Sequence, residues 1–104
     1  MAKRKHVVEI TATAQRDIRY NRDYIAEDNP QAAERWVRKI EQRILKLETF
    51  PKRYEVIPEA VEFGVEYRHA IEGNYRIIYR IEGLRVIVIR VFHAARLLDL
   101  SMLR

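Results

Sequence analysis

The sequence predicts an α+β fold in the order β-α-α-β-β-β, a helical hairpin packed on one face of a mostly antiparallel sheet. Three observations carry this expectation. Tyr75, Ile77, Tyr79 and Ile81 alternate with Arg76, Ile78 and Arg80, the period of two that sends strand side chains to opposite faces. Glu82-Gly83-Leu84-Arg85 interrupts that run, and Val86 to Phe92 resumes with β-branched residues, so the two runs form a hairpin with Gly83 free to take a positive φ. Upstream, two stretches repeat apolar residues at spacings of three, four and seven, the mark of amphipathic helices.

Taken in order, His6 to Ile10 reads as a short first strand. Thr11 follows as a helix N-cap, its hydroxyl placed to accept an amide hydrogen left over in the first turn. The first helix runs from Ala12 to Glu27, with Ala14, Ile18 and Ile25 on one stripe and Tyr24 beside it. Asn21 occupies an apolar place in that stripe and reads as partly exposed or locally bonded. Asp28-Asn29-Pro30 is a stop and a start: Asp28 or Asn29 caps the second helix, and Pro30 suits its first turn. That helix covers Gln31 to Glu48, with Ala33, Trp36, Val37, Ile40, Ile44 and Leu47 as its buried stripe. Thr49-Phe50-Pro51 ends it.

Lys52 to Gly64 reads as a loop, long enough to suggest a partner-contacting role. Val65 to Ile71 alternates again as the second strand, and Glu72-Gly73-Asn74 turns the chain into the third. In the terminal strands Tyr75, Ile77, Tyr79, Ile81, Ile87, Ile89 and Val91 are expected to face the helices. The other face is expected to be open and to carry Arg68, Arg76, Arg80 and Arg90. The tail from Ala94 holds Leu97, Leu98, Leu100, Met102 and Leu103, too apolar to be left in water, so it is expected to pack on the sheet, a second copy or a partner.

Composition narrows the classes. The 104 residues fit one domain spanning 1–104. Hydrophobic residues at 48% and charged residues at 34% suit a globular protein. A net charge of +5 favours phosphate-bearing or acidic partners. With no cysteine there is no thiol nucleophile or thiolate metal site, which fits a reducing cytoplasm. The start MAKRKH lacks the apolar stretch of a secretory signal, and no apolar run is long enough to span a bilayer. Ser101 is the only serine, so a Ser-His-Asp triad has no well-placed nucleophile. The three histidines lack metal-ligand spacing, and three isolated glycines make no phosphate-cradling loop. Glu59 and Glu62 read as surface residues of the loop. No cofactor and no metal are expected.

The chemistry-bearing candidates are therefore basic. Arginines Arg68, Arg76, Arg80 and Arg90 match phosphate and carboxylate geometry, and with Tyr67 and Phe92 among them they suit either a nucleic acid or a solvated face paired to Glu66 and Glu82. His93 is the leading acid–base candidate, because histidine titrates near neutrality; parity turns it toward the core, where a structural role competes. His69 is the second such residue.

The segment DYIAEDNPQAAERW, the helix end LETFP, the run GNYRIIYRI and the ending RVFHAAR together resemble the RelE/ParE superfamily of toxins from type II toxin–antitoxin pairs. The resemblance extends from Val8 to about Asp99. It implies the fold reached above, and a cognate antitoxin whose C-terminal segment wraps the toxin, with oligomers formed through that complex. Two activities occur in the superfamily. RelE-like members cut messenger RNA on the ribosome with a basic set. Arg76 matches the arginine of that set on the third strand, and Arg96 the one after the last strand. The lysines of the second strand fall near Tyr67 and His69 here, and the C-terminal tyrosine is absent. ParE-like members poison DNA gyrase, and the ending with His93 and Arg96 three apart resembles them more. The resemblance thus favours a gyrase inhibitor over a ribosome-dependent endoribonuclease, with a non-toxic antitoxin-binding module as the third alternative. Arg76, Arg96 and His93 are the catalytic candidates. Arg68, Arg80, Arg90, Phe92, Leu97 and Leu98 are the candidate contacts to target or antitoxin.

Overall fold

Thr11 closes one element and opens the next in the computed structural model, which describes residues 5–95 and Leu103. Strand β1 (Val7–Ile10) runs into Thr11, whose side chain accepts the amide hydrogen of Ala14 at 3.1 Å and starts helix α1 (Ala12–Ala26). Asn29 does the same for helix α2 (Pro30–Leu45) through the amide of Ala32, with Pro30 at the first helical position. The predicted α2 extends to Glu48. Its last turn tightens instead into a 3-10 turn over Lys46–Glu48, and that turn carries Leu47 into the core.

Two more 3-10 turns, Pro51–Arg53 and Pro58–Phe63, occupy what the sequence reads as loop. Between them Val56 bridges Arg68, Ile57 donates to the Tyr67 carbonyl and His69 donates to the Glu55 carbonyl. This stretch therefore covers the outer edge of strand β2 (Tyr67–Glu72), satisfying backbone groups that an exposed edge would present. Strands β3 (Tyr75–Glu82) and β4 (Arg85–His93) complete the sheet. Gly73 and Gly83 take φ of 57° and 59° in two-residue turns, the left-handed region where a side chain is strained.

The sheet order is β1-β4-β3-β2, with β1 parallel to β4 and the other pairs antiparallel. The α1–α2 hairpin lies on one face. Its Ala14, Ile40 and Ile44, with Leu47, meet Ala70, Ile77, Tyr79, Val86, Val88 and Val91. Each large aliphatic side chain buried there contributes roughly 1.5–3 kcal/mol.

Two expectations about the faces need correcting. β3 behaves as its alternation predicts, but β4 does not. Its register shifts opposite Ile78 and Tyr79, which pair with Arg90 and Val88, so Ile89 is an extra residue. A bulge of this kind resets parity along the strand. Val86 and Val88 consequently face the helices, and Ile87, opposite Arg80, does not. Nor is the far face bare. Ile57, Ala60, Ile78, Phe92 and Leu103 form a second buried cluster there, flanked by Tyr67. The expectation that the tail packs on the sheet holds for Leu103; Leu97, Leu98, Leu100 and Met102 lie outside the described residues. Among the described residues no helix is long and apolar enough to cross a membrane.

Candidate functional site

Arg76 and Arg80 project from β3 onto the face away from the helices, as the alternation predicts: their cross-strand partners are Phe92 and Ile87, and Phe92 belongs to the far cluster. Arg76 is half-buried. Its Nε donates to Nδ1 of His69 at 2.9 Å, and Nε2 of His69 lies 3.6 Å from a Glu55 carboxylate oxygen. In the neutral imidazole this geometry puts the proton on Nε2, because Nδ1 is accepting. The Arg76 guanidinium also stands 5.9 Å from the centre of the Phe92 ring, within cation–π range. Arg80 is bound to Glu82 at 2.6 Å.

Arg90 also belongs to the far face by register, but its guanidinium serves the fold. β1 ends at Ile10 opposite Val88, so among the described residues no strand continues beside the last part of β4 on that side. α1 takes its place. The Thr11 hydroxyl donates to the Ile89 carbonyl at 3.2 Å, and the Asp17 carboxylate accepts the Val91 amide hydrogen at 2.9 Å. Asp17 also accepts Nε and Nη2 of Arg90 at 2.7 and 2.9 Å. The two side chains are 13% and 14% exposed, so this bidentate pair is a clasp between helix and sheet edge.

Arg68 corrects the expectation outright. It lies opposite Tyr79, on the helix side, and donates to the carbonyls of Lys52 and Tyr54 at 3.0 and 2.7 Å. The alternation in YRHAIE is right, but its assignment to faces is reversed, because small Ala70 turns toward the helices and takes Arg68 with it. Phe92 is 2% exposed, so its ring is core rather than an open contact. Arg96, Leu97 and Leu98 lie outside the described residues.

His93 pairs with Tyr75, on the helix side of the sheet, and is exposed. Its ring meets Tyr75 edge-on with centroids 5.2 Å apart, and its Nδ1 accepts the Ala95 amide hydrogen at 3.0 Å. Beside it opens a cavity of about 790 Å³ between α1 and the end of β4, walled by Arg16, Tyr20, Asn21, Tyr24, Tyr75 and His93 among others. Tyr75 continues inward to Trp36, edge-on at 4.9 Å. Burial, with Tyr24 nearby, pushes the Tyr75 phenol above its ordinary value, so its hydroxyl keeps its proton at neutral pH. The Asn21 amide donates to the Asp17 carbonyl one turn back at 2.8 Å, the local bonding expected of it. Sequence reasoning did not find this cavity, although Tyr20 and Tyr24, four apart on α1 and 71% and 65% exposed, were its legible signal.

Chemically, two of the catalytic candidates, Arg76 and His93, do not come together, and the third, Arg96, lies outside the described residues. Cleavage of a phosphodiester needs a base, an acid and cations around one phosphate. Arg76 and His93 occupy opposite faces of the sheet, and the nearer histidine, His69, has Nδ1 engaged by Arg76. Among the described residues no cluster of three or more His, Cys, Asp or Glu is placed to hold a metal ion.

The family model described as the ParE toxin of the type II toxin-antitoxin system, parDE, matches residues 8–98. A solved structure of the chromosomal ParDE TA system from P. aeruginosa is similar at a TM-score of 0.69 and 19% identity, covering 86% of this chain and 97% of that one. The toxin-antitoxin complex RelBE2 from Mycobacterium tuberculosis is similar at a TM-score of 0.57 and 24% identity, covering 86% of this chain and 98% of that one. At these identities the likeness speaks to the fold, two helices on a four-stranded, mostly antiparallel sheet. Among curated proteins none matches.

Proposed function

The chain belongs to the ParE toxin family of type II toxin–antitoxin systems, and from that premise we propose that it inhibits DNA gyrase and is neutralised by a cognate antitoxin. The observation that carries the choice of target is the separation of Arg76 from His93 by the thickness of the sheet. A poison that acts by binding needs no such convergence; a nuclease does. The engagement of Arg76 with His69 and of Arg80 with Glu82 points the same way, since these cations are already paired within the fold. A gyrase inhibitor works where chromosomal DNA is handled, in the cytoplasm.

The antitoxin reading rests on family membership and on charge. A chain of net charge +5 with exposed Phe50, Val61 and Ile71 is complemented by a segment carrying both carboxylates and apolar side chains. The test is supercoiling of relaxed plasmid by purified gyrase. The protein is expected to inhibit it, and added antitoxin to restore it, with toxin and antitoxin binding below the micromolar range, tighter than about −8 kcal/mol. Supercoiling that proceeds unchanged at high protein concentration overturns the gyrase reading, and binding weaker than micromolar overturns the antitoxin one.

A further inference from the structure

The groups walling the cavity between α1 and the end of β4 differ in kind from those of an apolar docking groove. Among the described residues that wall it, Val91 is the one aliphatic side chain. Tyr20 and Tyr24 stand a helical turn apart on α1, largely exposed, and face the cavity with Tyr75 and the His93 ring. Arg16 brings a guanidinium to the wall, and His93 brings an imidazole whose Nδ1 accepts the Ala95 amide hydrogen and whose Nε2 is left to donate, whereas the carboxylate among the described lining residues, Asp17, is spent on Arg90 and the Val91 amide. Among the described residues the space therefore offers aromatic faces, a guanidinium and an imidazole N–H. Its volume of about 790 Å³ lies within the usual range for small-ligand sites of about 300–1,000 Å³.

We propose that this cavity binds a nucleotide, with the base stacked on Tyr20 or Tyr24 and the phosphate held by Arg16 and His93. Every base has a π-face, so stacking on tyrosine is tolerant of sequence, and a positive wall beside the ring tracks the phosphate. Asn21 has its amide nitrogen bound to the Asp17 carbonyl, which leaves its oxygen to accept from a base edge. An acidic peptide would pair a carboxylate with Arg16 but brings no planar base to stack on Tyr20 or Tyr24. The ligand chemistry has two sources, a free nucleotide and an unpaired nucleotide within a strand. The inference goes beyond the choice of gyrase or ribosome and stands under either.

The protein carries its own probe. Trp36, the single tryptophan, meets Tyr75 edge-on, so its fluorescence is expected to change when the cavity fills. Titrations of the full chain with thymidine monophosphate and with a ten-residue oligothymidylate distinguish the sources. Equal affinity points to the free nucleotide; tighter, salt-sensitive binding of the strand points to nucleic acid. Tyr20→Ala and Tyr24→Ala are each expected to weaken binding about ten-fold, and Tyr20→Phe, which keeps the ring, to restore it, with unchanged circular dichroism throughout. The proposal is overturned if neither probe binds up to millimolar concentration, or if binding ignores both tyrosines. A glutamate-rich peptide that binds in a Tyr20-dependent way while nucleotides do not would likewise overturn it and reassign the cavity to a protein partner.

Discussion

The far face of the sheet and the cavity beside α1 carry similar residue types in opposite states. On the far face Arg76 is bound to His69, His69 approaches Glu55, and Arg80 is bound to Glu82. In the cavity Tyr20 and Tyr24 are mostly exposed, and the carboxylate of Asp17 is occupied by Arg90. Paired polar groups stabilise a fold and have little left to give a ligand, while exposed ones contribute little to folding and keep their capacity for binding. A cluster of arginines is therefore poor evidence for a site until its partners are known.

Substitutions should divide along the same line. The largest effect is expected from Asp17→Ala, at the join between the two regions. It removes the carboxylate from a mostly buried arginine and leaves the Val91 amide hydrogen without its acceptor. Breaking such a pair costs about 3 kcal/mol, measured as a lowered midpoint in urea; a change under about 1 kcal/mol would show that the clasp is ornamental.

Next in size is Tyr79→Phe. The buried Tyr79 hydroxyl donates to the Pro51 carbonyl at 2.5 Å, and its loss should cost about 1–2 kcal/mol. Burial also raises the Tyr79 phenol above its ordinary 10.0. The folded state thus holds this proton more tightly than the unfolded one, so the stability it contributes is complete below pH 10 and is lost as the pH climbs above that. Thermal melts from pH 8 upward should show the decline in the parent and a shallower one in the variant.

Arg76→Ala removes a half-buried hydrogen bond on the far face and should cost about 1 kcal/mol. Tyr20→Ala, in the cavity, should stay within about 0.5 kcal/mol of the parent. Chemical denaturation of the two side by side sharpens the comparison, and a larger loss for Tyr20 than for Arg76 would break it.

Much of this molecule could be read from local chemistry. Thr11, Asn29 and Pro30 announce the helix starts, and the period of β3 places Tyr75, Ile77 and Tyr79 against the helices. What escaped was set by contacts distant in sequence. The bulge at Ile89 reverses the first half of β4, and no residue in RVIVIRV marks it, because every apolar position is β-branched on both faces. Arg68 departs from the expected face because its partners are backbone carbonyls of Lys52 and Tyr54, which carry no sequence signal. Arg90 reads in the sequence as a surface cation, yet Asp17, 73 residues away, holds it. The cavity depends on α1 lying along the end of β4 beyond the reach of β1, which stops at Ile10 opposite Val88.

The claim that Arg76 and His93 form no joint phosphodiester-cleaving centre meets its most direct test in primer extension on messenger RNA from ribosomes programmed in the presence of the purified protein. Full-length extension products, identical for the parent and Arg76→Ala, are expected in a preparation that inhibits gyrase. Discrete cuts at the ribosomal A site that disappear with Arg76→Ala would contradict it.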